Sequence, residues 1–128
     1  MDYYLSKHLD CGFDEACERV RAAAQAQGFG IPMEIDFTSM LREKLGADVR
    51  PYRIIGTCNP QLAFEAVEAE PQIGILMPCN WVVQQHEDGR VEASVMNPAL
   101  IVGWTGNEEL GPVAAEATLR ISAALDAL

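Results

Sequence analysis

Thiols and carboxamides set side by side are groups that could do chemistry. This chain carries the pair twice, each time joined to a proline in mirrored order: Cys58-Asn59-Pro60 and Pro78-Cys79-Asn80. A thiolate is a nucleophile and a metal ligand, while a carboxamide offers donors and acceptors for recognition. Both motifs end apolar runs, so the open ends of strands could bring them to one site. Three chemistries fit such a site: thiol redox or nucleophilic catalysis, metal or haem binding, and recognition of a small molecule or protein partner.

The thiol reading rests on Cys58, which lies just ahead of a helix start at Asn59, where the helix dipole favours a thiolate. A reversible disulfide with Cys79 requires the two Cα atoms to lie within about 4.4–6.8 Å. A thiol nucleophile also wants a base, and the chain shows no Cys-His signature. The metal reading takes Cys58 and Cys79 with His8 or His86 as ligands. Zinc favours four nitrogen or sulfur ligands grouped in tight pairs, and no Cys-x2-Cys is present. His86 precedes Glu87-Asp88-Gly89 at a hairpin tip, where solvation accounts for it, and His8 ends the first strand. The binding reading uses Asn59 and Asn80 as hydrogen-bonding groups, Cys58 and Cys79 as polarizable walls, and Tyr52, Met77 and Trp81 as apolar cover. It is the function expected here, with the enzyme question and any cofactor left open.

Each group has a structural account beside the functional one. Asn is a favoured N-cap and Pro is tolerated in the first helical turn, which explains most of Asn59-Pro60. Asn80 fits a bulge or turn. Cys17 falls on the apolar stripe of a helix, where a thiol behaves as a small hydrophobe. Glu34 and Asp36 alternate with apolar residues on one strand; paired carboxylates can do acid-base work, but solvated edge charges explain them.

The elements that must position these groups are legible from the apolar pattern. Tyr3 to Leu9 reads as a strand. Phe13, Ala16, Cys17, Val20 and Ala24 recur at helical steps, and Gly28 ends that helix. Ile31 to Phe37 alternates, with Ile31, Met33, Ile35 and Phe37 on the buried face and Glu34 and Asp36 toward solvent; Pro32 makes it an edge strand or a strand start. A short helix from Thr38 to Leu45 stops at Gly46. Pro51 to Cys58 is a third strand, followed by the helix opening at Asn59-Pro60. Ile73–Met77 and Trp81–Gln85 read as one strand interrupted by Pro78-Cys79-Asn80, or as two. Asp88-Gly89 turns the chain into Val91–Val95, a hairpin. Asn97-Pro98 repeats the cap ahead of Ala99–Val102, and a long helix runs from Glu109 to Ala127, burying Leu110, Ala114, Ala117, Ile121 and Leu125.

Composition bounds the class. The 128 residues fit one domain, 1–128, with no low-complexity linker, and a chain this long buries roughly 65–70% of its unfolded surface. Nine basic against nineteen acidic residues give a net charge of -10, which opposes nucleic acid and anionic membranes alike. No apolar run approaches the roughly 20 residues of a membrane span. The N-terminus lacks the pattern of a signal peptide, so the expected compartment is cytoplasmic, where reducing conditions keep most of the four cysteines free.

Three strings, Leu41-Arg42-Glu43-Lys44-Leu45-Gly46, Tyr52-Arg53-Ile54-Ile55-Gly56-Thr57-Cys58-Asn59-Pro60 and Ile73-Gly74-Ile75-Leu76-Met77-Pro78-Cys79-Asn80, resemble in order and spacing the bacterial family called domain of unknown function 302. The resemblance covers nearly the whole chain; Met77 and Trp81 are mild departures. It implies an α+β domain, often a homodimer, and carries no catalytic role onto Cys58, Asn59, Cys79 or Asn80. The expected architecture is a single sheet of about five strands, mixed or antiparallel, with helices packed against it.

Overall fold

The computed structural model describes residues 2–128, and its five strands form one open antiparallel sheet in the order β1-β5-β4-β3-β2. The strands are β1 Tyr4–Leu9, β2 Gly30–Asp36, β3 Tyr52–Cys58, β4 Cys79–Gln85 and β5 Val91–Met96. The helices are α1 Phe13–Ala26, α2 Phe37–Leu45, α3 Pro60–Ala69, α4 Ile101–Thr105 and α5 Gly111–Asp126. Two expected turns are realised through glycine in the left-handed region. Gly46 ends α2 at φ 64° and Gly89 closes the β4–β5 hairpin at φ 90°.

Residues directly opposite on antiparallel strands share a face, so the register sorts the side chains. One row reads Leu5, Val95, Trp81, Ile55 and Glu34, and it lies beneath the helices. Trp81, Ile55 and Val95 there meet Ala16, Cys17, Val20 and Ala24 of α1 and Ile121 and Ala124 of α5 in the main core. Alanines on both helices let α1 and α5 approach each other and the sheet closely. Lys7 of β1 fastens the end of α5 by donating to the carbonyls of Leu125, Asp126 and Leu128, at 2.7 Å for the last. The carbonyls at a helix C-terminus have no intrahelical donor, which is why a lysine there is favourable.

The next row, Ser6, Ser94, Val82, Ile54 and Ile35, faces away from α1 and α5. This face is open except at one side, where Phe37 of α2 packs on Tyr52 with ring centroids 5.5 Å apart. Thr38 fixes that corner, accepting from the Tyr52 N–H and donating to the Arg50 carbonyl, both at 2.8 Å.

Two expectations about elements are corrected. Ile73–Met77 is not a strand: Pro71–Leu76 forms a 3-10 helix, entered through Pro71 with the Glu70 carboxylate accepting from the Gln72 N–H. Ile73 is buried there in a second cluster with Ala66, Ile101 and Leu110, so a continuous apolar run served a helical turn rather than a strand. In β2 a bulge between Gly30 and Met33 shifts the register and reverses the expected faces. Ile31 packs on the main core, whereas Met33 is 48% exposed on the open face. Glu34 and Asp36 fall on the helix side and are spent structurally. Arg21 of α1 grips Glu34 at 2.7 and 2.8 Å, and Asp36 caps α2 by accepting from the Ser39 N–H at 3.0 Å. Hydrogen bonding from Arg21 holds the Glu34 carboxyl below the usual range, and the Ser39 N–H and hydroxyl do the same for Asp36.

Candidate functional site

Cys58 is the last residue of β3 and Cys79 the first of β4, with Thr57 directly opposite Cys79 in the ladder. Both thiols are free and both line a crevice of about 50 Å³ between the ends of the central strands and α3. The rest of its wall is apolar except for Thr57 and Asn59. Burial pushes the Cys79 thiol up to about 11, with the neighbouring Cys58 adding to the shift. At neutral pH Cys79 is therefore a thiol, not a thiolate.

Asn59 works as a cap. Its Oδ1 accepts from the Leu62 N–H at 3.0 Å, and its Nδ2 donates to the Gly28 carbonyl at 3.2 Å, tying the start of α3 to the turn after α1. Asn97 and Asn107 do the same at their own helical turns. Each accepts from an N–H two residues on and donates to a distant carbonyl, that of Asp2 and that of Ala69 respectively. Asn80 is the fourth asparagine and caps nothing. It is exposed on β4, opposite Gly56 on the open face.

Thus the sheet divides the seven residues of the binding reading. Cys58, Asn59, Met77 and Cys79 meet at the crevice. Asn80 and Tyr52 line a groove of about 400 Å³ on the other face. Trp81 lies in the main core with no exposed surface, its Nε1 without a hydrogen-bond partner, and lines neither cavity. A side chain this large and central explains itself by packing alone.

The groove contains what the sequence reading missed. Tyr3 and Tyr4 stand at one side with rings in edge contact, centroids 5.0 Å apart, and Tyr52 stands at the other. Val82, Gln84, Glu92, Ser94 and Met96 complete the floor with Asn80. Glu92 carries the one charge in this lining and is held by His86, Nε2 to Oε1 2.9 Å, so His86 is engaged rather than simply solvated. At the rim Arg50 donates to Gln84 at 2.9 Å and places its guanidinium 5.6 Å from the Tyr52 ring centre. His8 is exposed at the end of β1, opposite Glu92. Among the described residues no group of three or more His, Cys, Asp and Glu side chains is placed to hold a metal ion. The signal that could have found the groove was alternation: Asn80, Val82 and Gln84 are every second residue of β4, as Glu92, Ser94 and Met96 are of β5.

The fold and site define an α+β domain with one sheet face under helices and the other open, grooved and lined by tyrosines. The family model described as domain of unknown function DUF302 matches residues 5–128, and the chain belongs to that family. Its structure is similar to the crystal structure of an uncharacterized conserved DUF302 protein from Bacillus stearothermophilus, with a TM-score of 0.91 and 29% sequence identity. That likeness covers 99% of this chain and 98% of the other. No curated protein matches. Among the described residues no helix is long and apolar enough to cross a membrane.

Proposed function

We propose that this protein binds a small organic molecule in the groove on the open sheet face, with Asn80 and Tyr52 as central contacts. The observation that carries the reading is the groove itself. At about 400 Å³ it falls within the size range of ligand pockets, roughly 300–1,000 Å³, whereas the crevice at the thiols, about 50 Å³, does not. Asn80 supplies a carboxamide that caps no helix, Ser94 a hydroxyl, and the tyrosines apolar faces with polar tips. Glu92 and the chain's net charge of -10 favour a neutral or cationic ligand over an anion. Arg50 seated over Tyr52 is an internal example of how a cation is held there.

Two parts of the reading have other supports. The four free thiols suit the reducing cytoplasm. Self-association into a homodimer follows from the family resemblance, and sedimentation equilibrium returning the 14.0 kDa monomer mass would remove it.

The binding reading is tested by amide chemical shifts during titration with tyramine, benzamidine and tetramethylammonium, with benzoate as the anionic counterpart. The expected result is that a cation moves Tyr52, Asn80 and Ser94 together, and that Asn80→Leu and Tyr52→Ala weaken binding by about 10-fold each, the value of one lost hydrogen bond or ring contact. Shifts confined to residues of the crevice, or affinities untouched by both substitutions, would overturn it.

A further inference from the structure

The crevice contains an unusual set of side chains for its size. Cys58 ends β3, Cys79 begins β4, Met96 ends β5, and Met77 lies two residues ahead of β4. Since β3 and β5 are the two neighbours of β4, the topology gathers two thiols and two thioether side chains at one end of the three central strands. All four residues line the same cavity of about 50 Å³.

Its oxygen and nitrogen groups are already committed. The Thr57 hydroxyl donates to the Cys79 carbonyl at 2.8 Å, and both ends of the Asn59 carboxamide are hydrogen-bonded, Oδ1 to the Leu62 N–H and Nδ2 to the Gly28 carbonyl. No His, Asp or Glu lines the cavity. The donors left over are sulfur, in a space too small for an organic molecule and large enough for an ion. Hard cations want oxygen ligands and zinc wants four strong nitrogen or sulfur donors, but thiolates and thioethers together suit a soft monovalent ion such as Cu(I).

We propose that the crevice is a binding site for a single monovalent soft metal ion, Cu(I), held by the Cys58 and Cys79 sulfurs with Met77 and Met96 as thioether donors. Binding forms two Cu–S(thiolate) bonds and releases two thiol protons to solvent. Copper stays Cu(I), so no electron changes hands. The site then carries one negative charge, and it lies at the N-terminal end of α3, ten residues long, whose dipole opposes that charge. The proposal does not rest on ligand binding on the open face: Cys58, Met77 and Cys79 line the crevice alone, and Met96, the last residue of β5, lines both crevice and groove.

The test is anaerobic competition for Cu(I) between the reduced full chain and the coloured chelator bathocuproine disulfonate, followed by loss of the chelate colour. One Cu(I) per chain is expected, with affinity rising as pH rises toward 11, because binding displaces the Cys79 proton, which burial holds. Cys58→Ser and Cys79→Ser are each expected to weaken binding by at least about 100-fold, the upper end of what losing even an outer-sphere partner costs. Met96→Leu is expected to cost less, about 10-fold, and Cys11→Ser nothing. X-ray absorption on the copper-loaded wild-type chain needs no variant to fold and should show sulfur neighbours alone. Nitrogen or oxygen neighbours in that spectrum, or capacity lost with Cys11 rather than with Cys58 and Cys79, would overturn the site.

Discussion

The two faces of this sheet are one residue apart in sequence and opposite in character. Cys79 and Asn80 are consecutive on β4, yet Cys79 lines a sulfur-walled crevice beneath α3 and Asn80 a polar, tyrosine-flanked groove on the open side. Successive strand residues point to opposite faces, so a Cys-Asn dipeptide within a strand serves two surfaces. Burial on the crevice side holds a thiol protonated and dry. Exposure on the groove side leaves an amide able to meet a ligand.

The largest expected effect breaks that comparison at its middle, where Trp81 and Val82 again alternate. Trp81→Ala empties a fully buried ring from the core and should lower stability by about 3–5 kcal/mol. Val82→Ala, on the open face, should lower it by less than about 1 kcal/mol. Urea unfolding measures both. Similar losses would mean that the open face is as tightly covered in solution as the helix face.

A second, somewhat smaller effect follows from Cys79. Its folded thiol titrates near 11 against an ordinary value of 9.0, so the unfolded chain loses this proton first as pH rises. Stability from this group is whole below pH 9 and is lost between about 9 and 11, by at most roughly 3 kcal/mol. The wild-type chain should therefore lose stability over that interval more steeply than Cys79→Ala. Parallel pH profiles of the two would place Cys79 in a wetter setting and erase the contrast with Asn80.

A third experiment sharpens the open face. At Gly56 an added Cβ would lie 2.8 Å from Pro78 Cγ, 2.9 Å from Met33 Cγ and 3.4 Å from Asn80 Oδ1. Something must move, so Gly56→Ala should cost about 1–3 kcal/mol in thermal unfolding. It should also shift the Asn80 amide resonance. A substitution with no effect on either would show that this end of the groove is loose.

Much of this architecture is legible in the sequence because local chemistry and global fold agree. The helical stripe through Ala16, Cys17 and Val20, the Asn59-Pro60 start and the Asp88-Gly89 hairpin all stand where their residues predict them. Ile73–Met77 misleads because short apolar runs look alike whether they feed a strand or a buried 3-10 turn. The faces of β2 mislead because a bulge, which no side-chain pattern marks beyond Pro32, inverts them. At the candidate site the sequence identifies the motifs and their positions at strand ends. It does not reveal that the sheet parts them, since that depends on which residue of each dipeptide enters the ladder.

The smallest effect distinguishes the two asparagines of the repeated motif. Asn59 satisfies an otherwise unpaired N–H at the start of α3 and holds the Gly28 carbonyl, so Asn59→Ala should cost about 1 kcal/mol, near 4 °C in melting temperature for a chain of this size. Asn80→Ala removes a side chain that caps no helix, and the melting temperature should stay within about 1 °C, the range of surface substitutions. Ligand-induced shifts in the groove should respond the opposite way, lost with Asn80→Ala and kept with Asn59→Ala. Equal thermal penalties would assign Asn80 a structural role, and with it the groove would lose its central recognition group. A stable Asn80→Ala chain that no longer responds to a cationic probe would tie the open face to binding through the one asparagine that the fold does not need.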